Sequence, residues 1–201
     1  MKKISTKTLF QQWGLDFIGE IHPPSSTQHR WILTATDYFT KWIEAIPSRQ
    51  ATDTIVINFI EANIVSRFKC PTKIITDNAT TLKSKRIIDF CNKYYITLGH
   101  STTYYPQGNG LAESSNKSLM NIIKKLLEDN KKTWNKNLVN ALWIDRLTTK
   151  KYIGTSPYQL VYGMEVVFPS SLGTPMMKLL QEVQVEPKDI QRRINKTIHL
   201  Q

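Results

Sequence analysis

The chain has 201 residues, of which 27 are Lys or Arg and 16 are Asp or Glu, so its formal net charge is +11. Hydrophobic residues make up 40% of it, and it has only 8 glycines and 9 prolines, which excludes a collagen, a coiled coil and a chain disordered throughout. This length favours one domain, with a short appendage at most. The basic balance indicates a polyanionic partner, nucleic acid before a membrane surface.

The cysteines and the hydropathy of the chain argue against further classes of protein. Cys70 and Cys91 have no CxxC spacing and no neighbouring histidine, which argues against a structural zinc site and against a secreted fold built on disulfides. No apolar run approaches the ~18 residues of a membrane span, and none near the N-terminus has the length of a signal peptide. We therefore expect a soluble intracellular protein with no membrane partner.

The first half of the chain alternates between strand and helix patterns. Residues 13–18, 31–37 and 41–46 are rich in β-branched and aromatic residues and predict three consecutive strands. Asp53 can cap a helix whose apolar residues recur about every four positions up to Ile64. Further elements follow in the order strand, helix, strand, at 73–77, 83–93 and 96–98.

Helices dominate the second half, at 110–128, 133–149 and 157–162. Three strands, then helix, strand, helix, strand, is an order typical of a mixed five-stranded sheet with helices on its faces, and so of an α/β fold. The pattern weakens beyond Pro169. We expect a lead-in at 1–11, a core domain at 12–170 and a linker or partly helical tail at 171–201.

Three carboxylates occupy positions where a strand or helix more often has another residue. Asp16 interrupts an apolar strand, Asp77 ends one, and Glu113 lies in the first turn of a long helix. Residues 78–112, 35 in all, separate the last two. Carboxylates from separate elements that meet at a sheet edge can hold two Mg²⁺ or Mn²⁺ ions for displacement at phosphorus. Taken singly, an Asp at the end of a strand is usually a turn former, and a Glu in a first helical turn usually interacts with the helix dipole.

The helix that begins near Glu113 has two different faces. At about 100° per residue, the large apolar side chains fall together on one of them: Leu119, Ile122, Ile123 and Leu126. Lys117, Asn121 and Lys124 lie on the side of Glu113. These lysines either contact DNA phosphates or form a solvated face with i,i+4 support from Glu113.

Basic charge is concentrated after Glu113. Between Ser114 and Lys151 there are nine Lys or Arg and three Asp or Glu, more than half of the net charge of the chain. Such a cluster predicts salt-sensitive, sequence-independent phosphate binding, although a charge run can also be no more than a solvated surface.

Four segments in chain order resemble the catalytic core of retroviral-type integrases. They are Trp13-Gly14-Leu15-Asp16-Phe17, Thr76-Asp77-Asn78, the stretch from Tyr105 to Leu119 that begins Tyr-Pro-Gln-Gly-Asn-Gly, and Ser156-Pro157-Tyr158-Gln159-Leu160-Val161-Tyr162-Gly163. The last is similar to a segment of gypsy-class LTR retrotransposon integrases. The resemblance covers about residues 12–170 and implies an RNase H-like fold.

The resemblance also implies an activity and its residues. It implies a polynucleotidyl transferase that joins element DNA ends to target DNA in the nucleus and works as a homo-oligomer. Asp16, Asp77 and Glu113 would be the catalytic ligands of Mg²⁺ or Mn²⁺. We expect DNA contacts from the helix and from the loop before it, through Lys117, Lys124, Asn116, Asn121, Tyr105, Gln107 and Asn109.

Two departures leave other functions open. Ala79 stands where the family usually has glycine, which predicts strain if that turn needs a positive φ. No His/His/Cys/Cys zinc-ligand set precedes Trp13, so we expect an isolated core, either a fragment or a decayed element. A catalytically decayed or domesticated nucleic-acid-binding module is thus the main alternative. Ribonucleases H, which hydrolyse RNA in hybrids, share the fold, but the 35-residue spacing resembles integrases rather than ribonucleases H.

Overall fold

The computed structural model describes residues 8–77, 79–100, 110–127 and 130–164. The chain divides into two compact units, residues 1–142 and 143–201. The predicted core domain, 12–170, runs across this division and past residue 164, so its bounds remain a prediction. Among the described residues, no helix is long and apolar enough to cross a membrane.

A mixed sheet of five strands lies at the centre of the first unit, in the order β3-β2-β1-β4-β5. The strands are β1 (Gln12–Ile18), β2 (Trp31–Asp37), β3 (Ile43–Ser48), β4 (Lys73–Thr76) and β5 (Thr97–His100). The β1–β2 and β2–β3 pairs are antiparallel, whereas β1–β4 and β4–β5 are parallel. Asp16 is therefore on the central strand, with neighbours on both sides.

The helices begin and end close to the predicted positions: α1 (Asp53–Phe59), α2 (Lys85–Lys93), α3 (Gly110–Leu126), α4 (Trp134–Leu147) and α5 (Pro157–Tyr162). We predicted Asp53 as the N-cap of α1, but the N-cap is Thr52. The Thr52 side chain accepts a hydrogen bond from the amide of Ile55. The helix continues past Phe59 as a π-helical segment, Ile60–Val65.

Alternate residues of β1 serve the two faces of the sheet, because side chains along a strand point to opposite sides. Trp13 and Leu15 are fully buried on one face, where the rings of Phe10 and Phe68 lie against Trp13. Gly14 lies on the other face, within close range of Ala112 on α3. The sheet thus has an aromatic face and a face that receives α3.

Candidate active site

Asp16 is tied to α3 by a side-chain hydrogen bond. The Nδ2 atom of Asn116 donates to Oδ2 of Asp16 across 2.8 Å. Asn116 follows Glu113 by three positions, so the two side chains project from nearly the same side of α3. This contact places the carboxylate of the central strand beside the first turns of the helix.

The other end of the Asn116 amide is held by β2. Oγ1 of Thr34 donates to Oδ1 of Asn116 at 2.9 Å, and both residues are buried. Thr34 lies directly opposite Asp16 in the β1–β2 register, so the two side chains share a face of the sheet. Thr34, Asn116 and Asp16 form one hydrogen-bonded chain, which we call the Thr34–Asn116–Asp16 chain.

Gly14 allows α3 to approach the sheet closely. A Cβ atom at this position would stand 3.3 Å from Cβ of Ala112 and 3.0 Å from Cε2 of Tyr38. Ala112 is fully buried at this contact, and Glu113 comes next along the helix. The Gly-x-Asp spacing on β1 therefore lets α3 pack near Asp16, with the exposed carboxylate of Glu113 at the same end.

Asp77 directly follows β4, the parallel neighbour of β1. Leu15 pairs with Thr76 in the β1–β4 register, so Asp16 and Asp77 are each one residue beyond that pair. Parallel strands lie roughly 4.8 Å apart, which brings the two backbones close at this end of the sheet. The amide of Ala79 donates to Oδ1 of Asp77 at 3.0 Å and so orients that carboxylate.

The expected strain at Ala79 is absent. Its φ is −58°, an ordinary value for a residue with a side chain, so the turn after Asp77 does not need a glycine there. The prediction of a strained turn was wrong because Ala79 adopts extended backbone before the short 3₁₀ turn Thr80–Lys83.

The charges of this region act on Asp16. Burial is the first cause that raises its pKa, from 3.8 to about 6, and the negative charges of Asp77 and Glu113 raise it further. The hydrogen bond from Asn116 acts in the opposite direction. Asp77 and Glu113 thus each repel the charge on Asp16, and a divalent cation bound beside Asp16 would offset this repulsion.

The donor set suits a hard cation, since it consists of carboxylate oxygens from three separate elements. As they stand, no three His, Cys, Asp or Glu side chains of the described chain are close enough together to hold a metal ion. Glu113 is exposed on the first turn of α3. The oxygen ligands and the repulsion that Asp16 experiences fit Mg²⁺ or Mn²⁺, while complete coordination requires the three carboxylates to come closer together.

Three predicted DNA contacts lie on an open surface of α3. Lys117, Asn121 and Lys124 are exposed and line a groove with Ile18 and Met120. On the other side of α3, Leu119, Ile122 and Ile123 are buried, so the predicted apolar face is confirmed. The groove adjoins Asn116, and hence the Asp16 region.

We predicted that Asn116 contacts DNA, but the structure gives its side chain a different environment. Its side chain points inward, with its amide nitrogen on Asp16 and its amide oxygen on Thr34, and only 7% of the residue is exposed. It supports the carboxylate instead. The predicted loop contacts, Tyr105, Gln107 and Asn109, lie outside the described residues.

Sequence reasoning missed Thr34, Thr76 and His100. Thr76 and His100 are paired across β4 and β5, and Oγ1 of Thr76 lies 3.0 Å from Nδ1 of His100, beside Asp77. Two threonines at alternate positions of an apolar strand, Thr34 and Thr36, were a signal that one face of β2 meets polar groups. Only the register shows that Thr34 is opposite Asp16.

Known proteins resemble this chain in sequence. Residues 9–106 match the family described as the integrase core domain. The Gag-Pol polyprotein of avian reticuloendotheliosis virus is 28% identical over 155 residues, which cover 77% of this chain and 13% of the polyprotein. The Gag-Pol polyprotein of baboon endogenous virus (strain M7) is 32% identical over 152 residues, which cover 75% of this chain and 9% of the polyprotein. The chain thus spans a small part of these relatives.

Solved structures resemble it in fold. The catalytic core domain of BIV integrase has a TM-score of 0.60 at 20% identity, covering 75% of this chain and 93% of that one. The HTLV-2 integrase catalytic core domain in complex with magnesium has a TM-score of 0.59 at 24% identity, covering 75% and 95%. The predicted RNase H-like mixed sheet flanked by helices is confirmed. Residues 9–106 are therefore similar to the integrase core domain, and most of the chain is similar in sequence to part of the retroviral Gag-Pol polyproteins.

Proposed function

We propose that this chain is the catalytic part of a polynucleotidyl transferase that joins retroelement DNA ends to target DNA. The observation that carries the proposal is the placement of Asp16. It is half-buried on the central strand, bonded to Asn116 of α3 and charge-coupled to both Asp77 and Glu113. A carboxylate repelled by two others, beside a helix that carries exposed lysines, suits a site for metal ions and a phosphodiester.

In this proposal the residues have three roles: metal binding, orientation of the metal ligands, and phosphate binding. Asp16, Asp77 and Glu113 would hold Mg²⁺ or Mn²⁺, which when bound supply activation of the attacking oxygen and stabilisation of the leaving oxygen. Asn116 keeps Asp16 oriented, and the amide of Ala79 does so for Asp77. Lys117 and Lys124, exposed along the adjoining groove, neutralise the phosphates on either side of the reacting one.

Water is the attacking group at the element end, and the 3′-hydroxyl that this step exposes attacks the target strand. In this reaction no side chain needs to form a covalent intermediate.

The source and setting of the enzyme form part of the proposal. The segment from Ser156 to Gly163 resembles gypsy-class retrotransposon integrases, and we propose an element of that class as the origin. Joining to chromosomal DNA requires action in the nucleus. A solved relative is an intasome of simian T-cell lymphotropic virus, and another is described as trimeric. By likeness to these, we propose a homo-oligomer on DNA.

Strand cleavage of a branched DNA tests the proposal. The purified chain is incubated with a branched strand-transfer product and Mn²⁺ or Mg²⁺, alongside Asp77→Asn and Asp89→Asn variants. Asp89 is a matched control, because it is an exposed carboxylate on α2 and is not among the charges that shift the pKa of Asp16. Wild type and Asp89→Asn should cleave, and Asp77→Asn should lose at least about 100-fold, as expected when a metal ligand is removed.

Absence of cleavage above the Asp77→Asn level would overturn the enzymatic proposal. The decayed or domesticated nucleic-acid-binding module would then remain. It predicts DNA binding that weakens steeply with salt and does not change when Mg²⁺ or Mn²⁺ is added.

A further inference from the structure

We infer that Thr34 is a positioning residue for the metal-ligand carboxylate: its hydroxyl fixes the amide orientation of Asn116 and thereby aims the Asn116 NH₂ group at Asp16. This inference rests on the proposed function, because it assigns Asp16 to the metal site. It concerns a side chain on β2 that has no ligand role of its own. The geometry of the Thr34–Asn116–Asp16 chain carries it.

The chemistry of the three groups leaves one consistent arrangement. An ionised carboxylate only accepts hydrogen bonds, so the 2.8 Å contact with Oδ2 of Asp16 requires the NH₂ end of Asn116. The carbonyl end of the amide must then face Thr34. That oxygen only accepts, so the hydroxyl of Thr34 donates to it across 2.9 Å.

Without Thr34, the Asp16 carboxylate would be the one remaining group of this hydrogen-bonded chain that favours the observed orientation of the Asn116 amide. A flipped Asn116 would present its carbonyl oxygen to Asp16, and two acceptors would face each other beside the other carboxylates. Thr34 is fully buried, and Asn116 nearly so, so water has little access to replace the lost partner. The hydroxyl therefore keeps a donor on Asp16.

A purely structural role is the competing explanation. Oγ1 of Thr34 also lies 3.2 Å from the backbone oxygen of Asp16 and can donate there instead. In that case the hydroxyl fastens β2 to β1 and leaves the Asp16 carboxylate unaffected. The two explanations differ in whether the effect of Thr34 passes through Asn116.

The chain offers a matched control on the same strand. Thr36 is two residues away on the same face of β2, is fully buried and has a hydroxyl with no hydrogen-bond partner in the described structure. Thr36→Val removes the same atom in the same kind of environment. Thr34→Ser keeps the hydroxyl and removes only a methyl group.

The test measures Mn²⁺ affinity by isothermal titration calorimetry on the full chain, and kcat and KM for cleavage of the branched DNA. Thr34→Val should weaken Mn²⁺ binding and lower kcat by about 10-fold each, the usual effect of losing a group that orients a metal ligand, with KM for DNA unchanged. Thr34→Ser and Thr36→Val should stay within about twofold of wild type, since neither removes the hydrogen bond to Asn116.

A double mutant decides between the two explanations. If Thr34 acts through Asn116, adding Thr34→Val to Asn116→Ala should weaken Mn²⁺ binding no further than Asn116→Ala alone. An additive effect, or a Thr34→Val variant that is less stable yet binds Mn²⁺ as wild type does, overturns the inference. Wild type that neither binds Mn²⁺ nor cleaves DNA overturns the proposed function, and the inference with it.

Discussion

The two faces of β1 differ in what they contribute: one packs in the apolar core, and the other carries a candidate site residue. On the aromatic face, Trp13 and Leu15 are fully buried, and Trp13 packs against the rings of Phe10 and Phe68, which also contact each other. On the face that receives α3, Gly14 has no side chain and Asp16 is a half-buried carboxylate with a raised pKa. The aromatic face supplies apolar burial, while the other face accepts an electrostatic cost next to the site. Functional sites in proteins commonly carry such a cost.

Removal of the large ring from the aromatic face should have the greatest effect on stability. Trp13→Ala deletes a fully buried indole and should lower the free energy of unfolding by about 3–5 kcal/mol. Urea denaturation followed by circular dichroism measures it. Tyr152→Ala is the control, because this ring is 91% exposed, and it should change the value by less than about 0.5 kcal/mol. Equal effects of the two would contradict the assignment of the core to this face.

Filling the gap on the opposite face should have an intermediate effect. Gly14→Ala places a Cβ atom 3.0 Å from Cε2 of Tyr38 and 3.3 Å from Cβ of Ala112, so α3 must shift. We expect a loss of about 1–3 kcal/mol in denaturation experiments, as in other overpacked cores. Gly110 is on α3, and a Cβ atom added there would have no atom within 4 Å, so Gly110→Ala should not destabilise the chain. A stable Gly14→Ala variant would show that close packing of α3 is not required.

Neutralising Asp16 should have the smallest effect on stability, in the opposite direction. Its pKa is about 6 in the folded chain against 3.8 ordinarily, so its charge opposes folding, increasingly as pH rises from about 4 to 6 and fully above. In EDTA at about pH 7.5, the free energy of unfolding of Asp16→Asn should therefore be about 1–2 kcal/mol higher than that of wild type. The difference should vanish below about pH 4.

The same variant should lose the metal response. Added Mn²⁺ should raise the melting temperature of wild type and leave Asp16→Asn unchanged, because only the charged site gains from a cation. Asp89→Asn, at an exposed position, should behave as wild type in both measurements. A destabilised Asp16→Asn in EDTA would show that the hydrogen bond from Asn116 outweighs the repulsion.

Local patterns predicted most of the fold. Runs rich in β-branched and aromatic residues located the first three strands, and a rotation of about 100° per residue identified the face of α3 on which Leu119, Ile122 and Ile123 are buried. The cap of α1 was assigned one residue late, because Thr52 and Asp53 are both good capping residues and only the backbone decides between them. The π-helical continuation at Ile60–Val65 has no signature in a periodicity of 3.6.

The site was predicted less completely than the fold. Asp16, Asp77 and Glu113 are recognisable from the motifs that surround them, because an Asp at a strand end and a Glu in a first helical turn are common when taken singly. The inward orientation of Asn116 was not recognisable, since an asparagine on a helix next to a lysine is typical of an exposed surface. Its partners are 82 and 100 residues away in the chain.

By itself, the sequence determined the element types, the three carboxylates and the basic helix, because each depends on residues within a few turns of one another. Only the tertiary structure decided the β1–β2 register that sets Thr34 opposite Asp16, the approach of Ala112 to Gly14, and the side of α3 to which Asn116 belongs. These depend on which distant segments pack together, and packing is set by the burial of the whole core rather than by any local pattern.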